Sequence, residues 1–367
     1  MASIRKRPDG QWRARYRGPD GRERSKHFPL KGQAEKWLAG MTTSMVRGEW
    51  ADPTLSTIAF SEWADRWLQG QTHLKPSTRA RYGGLLNKHV VPAFGTTSLA
   101  RVRHADVQSW VSGLTDVGLA AASVRQAHRV LHLVLDLAVR DGRLPRNPAA
   151  GVKMPRAAAT HKRFLTHAQV HALAENAGPY RPAVLTLAYA GLRFGELSAL
   201  RVGDVDLRRR RVMVERAMVE VQGKAIIGTP KSHQVRQVPI PGFLAEVLAS
   251  HLAGGAADDL AFPGPRGGLL RNSRFRLGYF DRAAASVGLD GLTPHELRHT
   301  AASLAIASGA SVKVVQRMLG HASAAMTLDV YAGLFADDLD DVAERLDVLG
   351  RAAASARADQ LRTSAIF

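Results

Sequence analysis

Cysteine is absent from this chain of 367 residues, which removes disulfide staples, thiolate nucleophiles and cysteine-ligated zinc together. The absence also fits a reducing compartment. No apolar run approaches the ~20 residues needed to cross a bilayer. The opening Met-Ala-Ser-Ile-Arg-Lys-Arg lacks the apolar core of a secretory signal, so the expectation is a soluble, cytoplasmic protein. Acidic residues are scarce: 32 Asp and Glu stand against 51 Lys and Arg, a formal net charge of +19. An excess of that size asks for a polyanionic partner, nucleic acid first among them, with charge that serves only solubility as the alternative. The length exceeds one ordinary domain, so two or three are expected.

What is present has a clear order. Ile4 to Arg7, Trp12 to Tyr16 and Arg24 to Phe28 read as short strands parted by the turn sequences Pro8-Asp9-Gly10 and Gly18-Pro19-Asp20-Gly21. Trp12, Ala14 and Tyr16 alternate with Arg13, Arg15 and Arg17, giving a sheet with one basic face that a major groove could accept. A solvated charged face has the same pattern. From Gly32 to Arg47, Ala34, Trp37, Leu38, Met41 and Met45 recur at helical spacing and would cover the other face. Residues 51–57 read as a linker. Beyond it come amphipathic helices: one carrying Phe60, Trp63, Trp67 and Leu68, one opening at Lys75-Pro-Ser-Thr and ending at Val91-Pro-Ala-Phe-Gly95, one from Arg103 to Leu114, and one from Ala120 to Arg140. Leu144 to Pro148 is extended, and no catalytic constellation falls in this stretch.

From Phe164 to Tyr331 the pattern is helical around a β segment. Thr166 caps a helix through Ala174, and Pro182 to Leu200 reads as a single further helix. Val212 to Val221, Lys224 to Ile227 and Gln234 to Ile240 read as strands, which puts Thr229-Pro-Lys231-Ser232 in a turn where a flexible cation could reach a phosphate. Lys224 and Arg236 compete for that part. A helix starting at Pro294 places His295 and Arg298 on one face and Glu296 off it, which disfavours a zinc site. His299 is a neighbour for support or packing. A helix from Val312 to Leu319 ends at Gly320-His321, where the histidine could simply cap the last carbonyls. Tyr331 follows in Met326-Thr-Leu-Asp-Val-Tyr331, either a packed aromatic or a nucleophile; Tyr279 is the competing tyrosine and lacks such a context.

Two arginines, each able to donate a two-pronged hydrogen bond, suit the oxygens of a phosphodiester, and a tyrosine hydroxyl can attack it. In Ala190-Gly-Leu-Arg193-Phe-Gly-Glu196-Leu, Thr229-Pro-Lys231-Ser, His295-Glu-Leu-Arg298-His299-Thr, Leu319-Gly-His321 and Val330-Tyr331, the chain resembles the tyrosine recombinases, specifically phage-type integrases. Lys75-Pro-Ser-Thr, Pro92-Ala-Phe-Gly95 and Asn147-Pro148 resemble their helical core-binding domain. The resemblance implies an α+β protein, mainly α with small β elements. Its parts would be an arm-type DNA-binding domain of three strands and a helix at 1–53, a helical SAM-like core-binding domain at 58–150, a mixed α/β catalytic domain at 160–335 and a helical tail at 336–367.

It further implies that Arg193, Lys231, His295, Arg298, His321 and Tyr331 are catalytic, Lys231 as the general acid and His321 as a donor to the phosphate, with Glu196 and His299 in support. Arg13, Arg15 and Arg17 would contact arm DNA, and Arg79, Arg81, Lys88, Arg125 and Arg129 core DNA. Site-specific recombination would pass through a 3′-phosphotyrosine without metal or cofactor, on double-stranded DNA with core and arm attachment sites. A homotetramer on DNA, a host DNA-bending protein, an excision factor and a place at the nucleoid of a bacterial host complete the picture. A Xer-like resolvase or tyrosine transposase is the alternative; a catalytically silent DNA-binding protein is a further one.

Overall fold

The protein is described from a computed structural model covering residues 2–48, 50–52, 54–156, 162–230, 235–334, 343–344 and 346–355. The chain divides into two compact units, Met1–Ala159 and Thr160–Phe367.

The first unit opens with an antiparallel sheet of β1 (Ser3–Lys6), β2 (Trp12–Arg17) and β3 (Glu23–Phe28) in that order. Its tight turns use Gly10 and Gly21 at φ +82° and +77°, values that only glycine adopts without strain. The alternation in β2 sorts its side chains: Ala14 and Tyr16 are buried, while Arg13 and Arg17 are exposed and Arg15 pairs with Glu23 at 3.2 Å. The covering helix α1 (Lys31–Val46) lays Trp37 edge-on to Tyr16, with ring centroids 5.5 Å apart. The segment read as a linker is tied down. Arg24 pairs with both Asp20 and Asp52 and lies over the Trp50 ring, and the Asp52 backbone N–H donates to the Gly142 carbonyl at 2.9 Å.

Four principal helices follow. In α2 (Phe60–Gly70) the stripe Phe60, Trp63, Ala64 and Trp67 is buried, and Trp63 Nε1 donates to the Val134 carbonyl at 3.0 Å. That bond fixes α2 against the long α6 (Ala121–Arg140), whose buried residues run from Val124 to Ala138 along one face. The helical run that opens with α3 (Pro76–Leu85) ends within Val91-Pro-Ala-Phe-Gly95, as its sequence suggests. A wide π turn at Leu86–Val90 leads straight into α4 (Val91–Phe94), because Pro92 falls in the first turn of the new segment, where its missing N–H is not needed. The helix α5 (His104–Asp116) completes the group.

The second unit is built around α8 (Arg181–Ala190), whose residues from Ala183 to Ala190 are all buried, as a helix apolar on every side must be. Around it lie α7 (His167–Asn176), capped by Thr166, and α9 (Phe194–Ser198). A sheet of β4 (Val205–Asp206), β5 (Arg211–Val214) and β8 (Arg236–Pro239) is antiparallel, and β6 (Ala217–Val221) with β7 (Lys224–Gly228) forms a separate hairpin. The single strand expected over Val212 to Val221 is thus split at Glu215-Arg216, where Arg216 leaves the ladder to pair with Asp204 at 2.5 Å. The helices α10 (Gly242–His251), α11 (Asn272–Phe275), α12 (Asp281–Ser286), α13 (Pro294–Ala307), α14 (Val312–Leu319) and α15 (Ala324–Tyr331) follow. Among the described residues no helix is long and apolar enough to cross a membrane.

Candidate active site

The helix expected over Pro182 to Leu200 is broken, and the break makes the site. Gly191 adopts φ +63°, and a Cβ there would stand 2.8 Å from Leu319 Cδ2 and 3.1 Å from Ala301 Cβ. Left-handed backbone and close packing therefore both demand glycine. After the break Arg193 holds the N-cap position of α9. Glu196, one turn on, accepts the Arg193 backbone N–H at 2.9 Å through Oε2 and the guanidinium Nη1 at 2.8 Å through Oε1.

The C-terminal end of α14 gathers the cations. Its capping residue Gly320 is left-handed at φ +64°, and three successive carbonyls each receive a different arginine. Met318 accepts from Arg236 Nε at 3.1 Å, Leu319 from Arg298 Nη2, and Gly320 from Arg193 Nη2 at 3.5 Å. Arg298 also donates through Nη1 to the Gly191 carbonyl at 2.6 Å, so the helix break and the helix end share one guanidinium. Arg236 grips Glu196 with both prongs, at 3.0 and 2.6 Å. Unpaired last-turn carbonyls carry partial negative charge and suit cations. Even so, three guanidiniums against one carboxylate leave two positive charges in excess. Burial pushes the Glu196 carboxyl up, but the Arg236 hydrogen bonds and charge, joined by Arg193, outweigh it and hold the group below its ordinary value. Burial and the Arg193 charge push Arg298 down to about 9, leaving it a cation at neutral pH.

The helix α13 starts at Pro294 as expected. Glu296 is consumed at its N-terminus, where it accepts the Thr293 backbone N–H at 2.8 Å and pairs with Arg163 at 3.4 Å. His295 is exposed, and its ring stands edge-on to His299 at 5.1 Å. His299 lies against the tyrosine: its Nδ1 is 2.8 Å from the Tyr331 hydroxyl. Tyr331 is 2 % exposed and packs with Ala302, Ile306, Val315 and Leu319. Burial, with His295, Lys162 and Arg298 nearby, takes His299 down to about 4, and burial takes Tyr331 up to about 12 against the pull of Arg298. The phenol therefore keeps its proton and the imidazole is neutral, with one hydrogen bond between them. His321, beyond the α14 cap, has its Nδ1 3.0 Å from the Thr327 hydroxyl and is likewise taken down to about 4 by burial and the arginines.

The structure thus brings Arg193, Glu196, Arg298, His299, His321 and Tyr331 into one neighbourhood, with His295 beside His299. Lys231 and Ser232 lie outside the described residues. Arg236, weighed from sequence as a competitor for the part of Lys231, is instead 9 % exposed and held by Glu196. The period of its strand carries that information, because Arg236, Val238 and Ile240 alternate inward and all three are buried. Thr327, fully buried, gave no such signal. In the first unit Arg79, Arg81, Lys88, Arg125 and Arg129 are all exposed. Arg81 bonds to Gln126 and Arg125 donates to the Pro155 carbonyl at 2.7 Å.

A guanidinium cluster with excess charge beside a phenol suits an oxyanion-rich substrate, and the likeness to known proteins points the same way. Residues 163–337 match the model of the phage integrase family, residues 2–47 that of the phage integrase N-terminal domain, and residues 59–115 that of the phage integrase N-terminal SAM-like domain. A prophage phiRv2 integrase of Mycobacterium tuberculosis is 32% identical over 340 residues, covering 89% of each chain. Among solved structures, the integrase of transposon Tn1549 in complex with a circular intermediate DNA has a TM-score of 0.67 at 21% identity, covering 80% of this chain and 99% of that one. A lambda integrase tetramer bound to a Holliday junction has a TM-score of 0.58 at 20% identity, covering 89% and 94%. The chain belongs to the phage integrase family of tyrosine recombinases. Its activity is site-specific recombination, and its substrate is DNA.

Proposed function

We propose that Tyr331 attacks a DNA phosphodiester, forming a 3′-phosphotyrosine and releasing a 5′ hydroxyl. In a partner duplex such a hydroxyl attacks the phosphotyrosine in turn, which rejoins the strands and frees the tyrosine. Bond energy is conserved, so no nucleotide is consumed. Arg193 and Arg298 hold the non-bridging oxygens, and His295 and His321 donate further hydrogen bonds, each preorganised donor contributing roughly 3 kcal/mol to the transition state. Lys231 is the proton donor to the leaving oxygen. The observation that carries this reading is the gathering of Arg193 and Arg298 at the end of α14, two positive charges in excess, with Tyr331 on the next helix. Tyr331 is 2 % exposed, so DNA binding must open a path to its hydroxyl before attack.

The wider assembly is read in the same way. The basic face of β2 reads arm DNA, and the exposed cations of α3 and α6 meet core DNA. Four protomers act together, with a host DNA-bending protein and an excision factor setting direction; the lambda integrase tetramer on a Holliday junction supports the four-protomer reading. Leu346 and Leu349, both exposed, favour a tail that docks on a neighbour. The chemistry is tested with a core site nicked near the cleavage point, so that cleavage loses a short strand and traps the adduct. The wild-type protein should trap covalently on a denaturing gel, and Tyr331→Phe should bind the site and trap none. An adduct at wild-type level from that variant would remove Tyr331 from the mechanism.

A further inference from the structure

We propose that Thr327 is a positioning residue that sets the tautomer of His321. Its hydroxyl donates a hydrogen bond to Nδ1, so that the single N–H of the imidazole sits on Nε2, free for the phosphate. The inference rests on the reading of His321 as a phosphate donor and adds what that role requires. A neutral imidazole carries one N–H, and which nitrogen holds it is decided by the partner of the other. His321 is neutral at working pH, because burial and the charges of Arg298, Arg193 and Arg236 disfavour the imidazolium. Left undirected, the ring would spend part of its time with Nε2 as a lone pair aimed at an anion.

The surroundings choose between the two forms. Thr327 Oγ1 lies 3.0 Å from Nδ1, and Thr327 is fully buried. A helical threonine commonly gives its proton to the carbonyl one turn back; here, among the described residues, the contact with His321 is the only hydrogen bond of that hydroxyl. If Nδ1 held the proton, the hydroxyl could only accept, and its own hydrogen would be stranded in a buried site. If the hydroxyl donates, both groups are satisfied and Nε2 is the N–H. The ring is also fixed from its backbone side, since the His321 N–H donates to the Gln316 carbonyl at 3.1 Å and its carbonyl accepts from Gln316 Nε2 at 3.2 Å. Thr327 and Tyr331 are four residues apart on α15 and both buried, so they share a face. The residue that directs the phosphate donor therefore rides on the helix of the nucleophile.

The test uses the full chain labelled with nitrogen-15 histidine, with the His321 ring signals assigned through their loss in His321→Gln. Tautomer is read from ring nitrogen shifts, and single-turnover cleavage is measured on the nicked core site. Wild type should show the Nε2–H form. Thr327→Val, of the same shape but without the hydroxyl, should lose that preference and slow cleavage by about 10-fold to 100-fold at unchanged DNA binding, part of what losing an oxyanion donor costs. Thr327→Ser should restore both, and in a His321→Ala background Thr327→Val should cost nothing more. A wild-type ring in the Nδ1–H form overturns the proposal whatever the variants do. So does a Thr327→Val protein that keeps the Nε2–H form, which would leave the role of His321 standing. A tautomer that switches while cleavage holds would instead sink His321 as the phosphate donor, and the proposal with it.

Discussion

At the scale of single residues, the site stores positive charge on arginines and withholds it from histidines. His299 and His321, each half-buried, sit near 4 while an unfolded histidine titrates near 6.5. Between those values the unfolded chain binds more protons, so acid favours unfolding. Their contribution to stability is whole above pH ~6.5 and is lost as pH falls through 4, at roughly 1 kcal/mol per ring once solvent screening of half-exposed groups is allowed for. Denaturant midpoints taken from pH 7.5 down to 4.5 should fall, and the fall should shrink in the double variant His299→Asn, His321→Asn. An equal slope in both proteins would mean that other groups govern the acid limb. Some of these residues were legible before any fold was known. His295 and Arg298 announce themselves by helical spacing after Pro294, and Tyr331 by its place after Leu319-Gly-His321. The pairing of His299 with the Tyr331 hydroxyl was not, because it joins residues 32 apart and depends on how α15 packs on α13.

At the scale of elements, function follows from two interruptions. Gly191 ends α8 so that Arg193 can cap α9, and Gly320 ends α14 so that its carbonyls can hold three arginines. A Cβ on Gly320 would stand 3.0 Å from Arg236 Cδ, on left-handed backbone. The sequence displays both glycines but reads through the first, since Pro182 to Leu200 is apolar and helix-forming on either side; only the approach of Leu319 and Ala301 shows why the helix must stop. Burial of the Arg236–Glu196 pair gives a quantitative expectation. Arg236→Met leaves Glu196 buried with only Arg193 beside it and should cost about 3–5 kcal/mol, whereas the double change Arg236→Met, Glu196→Gln should recover much of that loss. A double-mutant cycle by chemical denaturation measures the coupling. Simple additivity of the two losses would show that the pair does not act as a unit.

At the scale of the whole molecule, the basic sheet and the catalytic unit are expected to bind different DNA. Deleting residues 1–53 should leave cleavage of a short core site and abolish integration that depends on distal arm sites; normal integration by the truncated protein would count against the arm-binding reading. The order of strands, helices and catalytic unit was readable from alternation and helical spacing, whereas the anchoring of residues 51–57 through Arg24 and Asp52 was not, since polar linker composition conceals an ion pair formed at long range. Lys231 and most of the tail lie outside the described residues. The central claim is that the excess charge at the end of α14 serves a phosphodiester attacked by Tyr331. It is tested most directly by trapping the full chain on a nicked core site, digesting the adduct and locating the linked residue by mass spectrometry. The account predicts one modified peptide, carrying the 3′ phosphate on Tyr331; a nucleotide on Tyr279 or any other residue, or an adduct joined through the 5′ end, would contradict it.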